Sequence, residues 1–206
     1  MVSGGALTRV LLFAKAPLAG RVKTRLARET GEAQAVALYR AVGRRVAMAV
    51  AAAYPLTVWF DPPGAEADMR RWLGDHEYRP QPNGDLGERM ACAFAEHFAR
   101  GERPVIGIGA DAPGVSATVI ANAERLLGQA TVVLGPALDG GYYLIGLCAA
   151  CRGLFQGIPW GASGVLRATE ERCAALGLSV ARLDPLRDID TREDLDALGE
   201  ALDGGA

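Results

Sequence analysis

The chain is poor in the residues that most often carry metal or nucleophilic chemistry, with four cysteines and two histidines among 206 residues. Four cysteines make no disulfide framework of the kind small secreted domains need. Cys148-Ala149-Ala150-Cys151 has the C-x-x-C spacing, but no second pair or histidine stands at zinc-site distance. Small residues packed near a strand end account for it. Neither His76 nor His97 has a paired nucleophile pattern, and Gly161-Ala162-Ser163-Gly164-Val165 misses the G-x-S-x-G hydrolase elbow at its last position. No run approaches about 18 apolar residues, so no membrane span is expected. A basic excess is also missing: the net charge is -2 and the pI about 5.8, which argues against a nucleic-acid binder. The first eight residues lack the charged start and apolar core of a signal peptide, so a cytoplasmic location is expected.

What is present is ordinary for a soluble enzyme. Half the residues are hydrophobic and 22% are charged, enough apolar material for a sizeable core without disulfides or structural metal. The length suits one domain over residues 1–206. Charge is distributed unevenly. Residues 1–30 hold six bases (Arg9, Lys15, Arg21, Lys23, Arg25, Arg28) against Glu29, while 183–206 hold eight acids against Arg187 and Arg192. Solvated surface would explain both clusters; so would bases that hold phosphate and acids that hold metal.

Val10 to Ala14 is a continuous apolar run suited to a strand buried on both faces. After a loop with Pro17 and Gly20, Thr30 is expected to cap a helix over about 31–53. Leu56 to Phe60 reads as a strand, followed by a short helix to about Leu73 and a weak strand near Tyr78. Leu86 to Ala99 is a helix by its spacing. Val105 to Ile108 is a strand and Val119 to Leu127 a helix. Strands at Thr131 to Leu134 and Tyr142 to Leu147 flank an Asp-Gly-Gly turn, and a strand is expected near Val180. Gly164 to Leu176 and Thr191 to Leu202 read as helices. This alternation predicts an α/β fold, a mostly parallel sheet with helices on both faces. Ligands of such sheets sit beyond the carboxyl ends of the strands, where 15–25, 109–113 and 139–143 all fall.

Residues 15–25 place four bases on a loop broken by Pro17 and Gly20, a cradle for a diphosphate in which lysine acts as a point charge and arginine grips two oxygens. The loop is not a P-loop, because the Gly-x-x-x-x-Gly-Lys-Ser/Thr pattern is missing. Gly107, Gly109 and Ala112 fit the dinucleotide pattern G-x-G-x-x-A, yet Asp111 would then lie beside a pyrophosphate. Two like charges about 4 Å apart cost roughly 4 kcal/mol at an effective dielectric near 20, and a divalent cation between them reverses the sign. Asp111 is therefore read as a metal ligand, with a turn acid ahead of Pro113 as the plain alternative. Asp139-Gly140-Gly141 suits either a hairpin turn or a backbone close to ligand, with Asp139 as a base or an acceptor contact. Asp188-Ile189-Asp190 could add a second carboxylate to a Mg²⁺ or Mn²⁺ site, or Asp190 could cap the following helix. Trp160 either lines a pocket or packs, with packing preferred.

Six segments in register resemble a bacterial family of small glycosyltransferase-A-type proteins, often labelled as arsenosugar-biosynthesis or nucleotide-sugar glycosyltransferases. They are FAKAPLAGRVKTRL at 13–26, DLGERM at 85–90, IGADAP at 108–113, GPALDGGYYLIGL at 135–147, IPWGASGVLRAT at 158–169 and DIDTREDL at 188–195. The resemblance implies the nucleotide-diphospho-sugar transferase fold, shared with molybdenum-cofactor and phospholactate guanylyltransferases. It implies phosphate contacts from Lys15, Lys23 and Arg25 near Gly20 and a metal on Asp111, with Asp190, ahead of Asp188, as second ligand by analogy with nucleotidyltransferases; Lys23 and Asp139 are the catalytic candidates of these segments. The implied activity is metal-dependent transfer of a sugar from a nucleotide-sugar to a small-molecule acceptor. Most glycosyltransferases of this fold use Asp-x-Asp, whereas Asp111 here lies between Ala110 and Ala112. That difference keeps nucleotidyl transfer from a triphosphate open as the alternative, with a non-catalytic nucleotide-binding protein as a third possibility.

Overall fold

The computed structural model describes residues 7–187. The apolar runs become the strands of one sheet: β1 (Arg9–Lys15), β2 (Leu56–Asp61), β3 (Glu77–Pro80), β4 (Val105–Gly109), β5 (Val132–Pro136), β6 (Tyr142–Leu147) and β7 (Val180–Arg182), in the spatial order β3-β2-β1-β4-β6-β5-β7. All neighbouring strands run parallel except β6, which lies antiparallel between β4 and β5. The mostly parallel α/β sheet expected from the alternation is the fold observed.

Side chains alternate across a strand, so each buried strand feeds two cores. Val10, Leu12 and Ala14 of β1 join Leu56, Val58, Phe60, Ile106 and Ile108 in one core, while Leu11 joins Trp59, Val105 and Leu134 in the other. The first core is covered by α2 (Glu32–Ala51), α3 (Glu66–Leu73) and α5 (Ala117–Leu127), and the second by α4 (Leu86–Ala99) and α6 (Val165–Ala175). The helix α2 turns Ala35, Tyr39, Val42, Val46 and Val50 inward, three to four residues apart.

The sequence pattern missed one helix. Residues read as loop and cap form α1 (Thr24–Thr30). Thr30 does not cap the helix that follows: it closes α1, with its Oγ1 donating to Leu26 O at 3.0 Å. The residue before α2 is Gly31, whose φ of 87° lets the chain change direction between two helices without a break. By contrast α4 carries a complete capping box, in which Glu88 N–H donates to Asp85 Oδ1 at 2.8 Å and Asp85 N–H to Glu88 Oε2 at 3.0 Å. Its second residue, Gly87, lies so near its neighbours that a Cβ there would stand 2.5 Å from Phe155 O and 2.6 Å from Trp160 Nε1. Trp160 also meets Tyr142 edge-on at 6.5 Å, so it packs, as preferred above. The helix expected over Thr191 to Leu202 lies outside the described residues, as do Asp188 and Asp190.

The amino-terminal rim of the sheet is closed by ion pairs. Arg9 meets Glu102 at 2.7 Å, Arg100 meets Glu77 at 2.8 Å and Arg79 meets Glu96 at 3.0 Å. Fully buried His97 joins this network to the core. It accepts Trp59 Nε1–H at Nε2 (3.3 Å), which leaves Nδ1–H to donate to Glu102. Burial pushes the His97 pKa below its usual 6.5, against the opposing pull of Glu102. The unfolded chain therefore takes up a proton near pH 6.5 that the folded chain refuses, so stability present above that pH is lost as the pH falls. The loss approaches at most about 1.4 kcal/mol per pH unit. Thermal melting from pH 8 to pH 5.5 should fall more steeply for the native chain than for His97→Gln; parallel curves would show that His97 is not the titrating group.

Candidate functional site

The carboxyl ends of β1, β3 and β4 face a cavity of about 540 Å³. One wall is the 15–25 loop, contributing Lys15, Arg21, Lys23 and Arg25; a second is the segment after β3, with Gln81, Gly84, Leu86 and Arg89; Asp111 follows β4. Phe13 and Ala14 of β1 and Tyr39 of α2 complete the lining named here. A smaller cavity of about 230 Å³ shares Lys15 and Arg21 and adds Asp61.

Local backbone turns build the cationic wall. Ala16 N–H donates to Asp61 O at 2.7 Å and holds the start of the loop to the end of β2. Gly20, at φ 72°, lets the chain reverse, and Arg21 N–H closes on Leu18 O at 3.1 Å. Lys23 then takes left-handed φ 46° and ψ 44°, the only non-glycine residue with positive φ among those described, and starts α1. Such a conformation costs of order 1–3 kcal/mol and persists where surrounding contacts fix it. The contact here is an ion pair: Lys23 Nζ lies 3.0 Å from Asp111 Oδ2, with the lysine side chain 6% exposed and the carboxylate 41% exposed.

Tyr39 holds the end of β1 from below. Its hydroxyl accepts Lys15 N–H at 3.0 Å and donates to Lys15 O at 3.2 Å. Burial and then the negative charge of Asp111 push the phenol well above its usual pKa, against the Lys15 amide. It therefore stays protonated and keeps both bonds.

The structure places Lys15, Lys23, Arg25 and Asp111, all singled out from the sequence, around one cavity. Gly20 acts as a hinge of the loop and is not part of the lining. Asp139 is not part of it either. Its Oδ1 accepts Gly141 N–H at 2.8 Å, Gly140 takes φ 90°, and Ala137 N–H donates to Gly141 O at 3.0 Å, which makes the segment the hairpin turn between β5 and β6. Gln81, Arg89 and Tyr39 were not singled out from sequence. The available signal was positional, since residues 81–89 follow β3 as 15–25 follow β1.

Asp111 suits a divalent cation as one protein ligand. Mg²⁺ usually takes one or two carboxylates and completes its shell with phosphate and water oxygens. Asp111 offers a half-exposed carboxylate at the cavity, and no group of three His, Cys, Asp or Glu side chains converges among the described residues. The C-x-x-C cysteines diverge: Cys148 packs on the first core and donates to Leu127 O at 3.2 Å, while Cys151 packs on the second. No helix among the described residues is long and apolar enough to cross a membrane.

Comparison with known proteins agrees with this architecture. Residues 44–162 match the family model described as "Uncharacterized protein conserved in bacteria (DUF2064)". A protein from Desulfovibrio desulfuricans G20, provisionally described as a nucleotide-diphospho-sugar transferase, is 33% identical over 97% of this chain and 89% of its own, with a TM-score of 0.91. A CMP:2-keto-3-deoxy-manno-octonic acid synthetase complexed with CTP shares the fold at 12% identity, TM-score 0.55, over 97% and 100% of the two chains. So does Rv0371C of Mycobacterium tuberculosis H37Rv in complex with manganese, at 16% identity, TM-score 0.57, over 94% and 98%. The fold is that of the nucleotide-diphospho-sugar transferases. No curated protein matches the chain.

Removing the Tyr39 hydroxyl isolates its role in holding the loop. Tyr39→Phe leaves the part-buried Lys15 amide without its partner, which costs about 1 kcal/mol or more. The melting temperature should drop by roughly 2–4 °C, and the Lys15 amide should exchange hydrogen faster. Unchanged melting with unchanged Lys15 exchange would refute the role.

Proposed function

The chain belongs to the family described as "Uncharacterized protein conserved in bacteria (DUF2064)", and we propose that it works as a transferase on nucleotide phosphates, moving a sugar from a nucleotide-sugar to a small-molecule acceptor. One observation carries this reading: among the described residues four cationic side chains, Lys15, Arg21, Lys23 and Arg25, share a cavity with one lining carboxylate, that of Asp111. That cationic excess suits the diphosphate of a leaving group. A fifth lining cation, Arg89, is offset by Asp61 at 3.5 Å.

In this reading the bond from the anomeric carbon to the diphosphate oxygen breaks with its electron pair staying on the diphosphate, while the acceptor's nucleophilic atom bonds to that carbon and gives up its proton to solvent. Fixed positive charge aimed where negative charge develops lowers the barrier without reorganisation. Lys23 is suited to that task, because its ion pair and its backbone hold the ammonium in place before substrate arrives. Arg21 and Arg25 can each take two phosphate oxygens, while Lys15 adds a point charge from the strand end. A divalent cation, Mg²⁺ or Mn²⁺, held by Asp111 would neutralise further phosphate charge; the manganese complex of Rv0371C supports that choice. The provisional description of the Desulfovibrio protein, at 33% identity, supports the sugar donor. Asp139 is given no part in the step, since its carboxylate serves its own turn.

A second reading has its own support. Asp111 lies between two alanines and is the one carboxylate among the described lining residues, unlike the Asp-x-Asp of most glycosyltransferases of this fold. In nucleotidyl transfer the same loop would hold the pyrophosphate leaving group of a triphosphate, and the CTP complex above supports that arrangement.

Ligand-dependent melting separates the two. A ligand at a hundredfold excess over its dissociation constant stabilises the fold by about 2.7 kcal/mol, or roughly 5–11 °C here. Nucleotide-sugars or nucleoside diphosphates with Mn²⁺ should shift melting more than any triphosphate with Mg²⁺. The reverse order, with pyrophosphate released on adding a phosphorylated acceptor, selects the second reading. Lys23→Ala should weaken a nucleoside diphosphate roughly 10- to 150-fold, far more than the nucleoside. Equal losses for the two would mean that Lys23 does not grip phosphate.

A further inference from the structure

Lys23 is set apart from the other cations of the cavity. Lys15, Arg21 and Arg25 are exposed residues, whereas the Lys23 side chain is 6% exposed and its Nζ lies 3.0 Å from Asp111 Oδ2. The base of this lysine is fixed. Its neighbour Val22 and, on α1, Leu26 are buried, and its own carbonyl accepts Ala27 N–H at 2.8 Å. The carboxylate is closely placed too: a Cβ on Gly109 would stand 2.9 Å from Asp111 Oδ1, so the glycine at the end of β4 makes room for it. Among the described residues that line the cavity, Asp111 is the one carboxylate, and it is the group that suits a divalent cation. Two cations thus have a claim on one carboxylate, the Lys23 ammonium and the metal.

The two oxygens of Asp111 belong to one small group, so a divalent cation on either would stand beside the ammonium. Like charges at that range repel strongly where a buried stem keeps water back, because the interaction grows as the local dielectric falls. This competition depends on charge and position alone, whatever else the ammonium touches. A diphosphate relieves it. Its oxygens carry negative charge that both cations can share, and Mg²⁺ commonly completes its shell with phosphate oxygens. The lysine has three rotatable donors, which can turn from Asp111 towards phosphate while the backbone stays in place. We infer that Lys23 gates the metal site: its ammonium holds Asp111 until phosphate arrives, so a divalent cation enters with the nucleotide and not ahead of it. The inference rests on the nucleotide and metal reading of the cavity and adds to it the order in which the site is filled.

Calorimetry with Mn²⁺ alone, no nucleotide being added, tests the gate. Lys23→Gln removes the charge and should bind Mn²⁺ about tenfold or more tightly than the native chain. Lys15→Gln removes the same charge from the same cavity and should change the affinity by less than about threefold. Adding Asp111→Asn to Lys23→Gln should abolish the gain. No gain in Lys23→Gln overturns the inference, and so does an equal gain in Lys15→Gln, which would trace it to net charge. A gain that survives Asp111→Asn also overturns it, by moving the ion elsewhere. If Lys23→Gln does not fold, Lys23→Asn replaces it, because asparagine takes the left-handed backbone more readily. In the native chain, saturating Mg²⁺ should move the Lys23 ammonium signal in nitrogen-15 spectra; a signal that stays fixed while Mg²⁺ binds decides against the gate. The melting shifts with nucleotides judge the preceding reading on their own, since a chain can bind nucleotide and metal with no such gate.

Discussion

The contact on which the site depends is the ion pair between Lys23 and Asp111. These residues come from loops after β1 and β4, adjacent parallel strands, so one charge pair fixes two strand ends against each other. It also accounts for a backbone oddity, since a lysine in the left-handed region needs something to hold it there. Once Lys23 is placed, α1 begins at the next residue, and Arg25 is carried by its first turn. The pair thus sets the direction of the cationic wall before any ligand contributes.

The two rims of the sheet use charge in opposite ways. At the amino-terminal rim Arg9, Arg79 and Arg100 each meet a glutamate, and even the Glu77 carboxyl, raised by burial, is held below its usual pKa by Arg100 and Thr57. Charge there is balanced and serves the fold. At the carboxyl rim four cations share one lining carboxylate among the described residues, an imbalance that favours an anionic ligand. Strands such as β1 and β4 have apolar middles between these rims, so the division of labour runs along them.

The sheet was legible because its signal is local. Runs such as Val10 to Ala14 and Val105 to Ile108 are buried on both faces and need no partner to be recognised. Leu86 to Ala99 was readable to the residue, its spacing reinforced by the Asp85–Glu88 box. The cationic loop over 15–25 was legible from charge density beside a strand end. Less could be seen of α1, a seven-residue helix that begins on a strained lysine and carries no side-chain cap. Asp139 was ambiguous in the sequence because a hairpin turn and a ligand loop use the same residues. Gln81 and Arg89 were hidden for a different reason: they reach the cavity because β3 pairs with β2, and only the folded chain fixes that.

The antiparallel strand β6 has a consequence for how such a chain can diversify. Among the described residues, those lining the main cavity fall between Phe13 and Asp111, and β5, β6, β7 and α6 supply none of them. Beyond β4 the chain builds a second unit of its own, in which the turn at Gly140 receives Leu166 N–H at 3.0 Å and so fastens the start of α6. This unit meets the earlier elements through the β4–β6 ladder and through both cores, where Tyr143 and Leu144 join Val10 and the ring of Phe155 lies 5.6 Å from that of Phe94. Its exposed positions can therefore change without reaching the cavity, while its buried ones stay tied to the strands that carry the cavity.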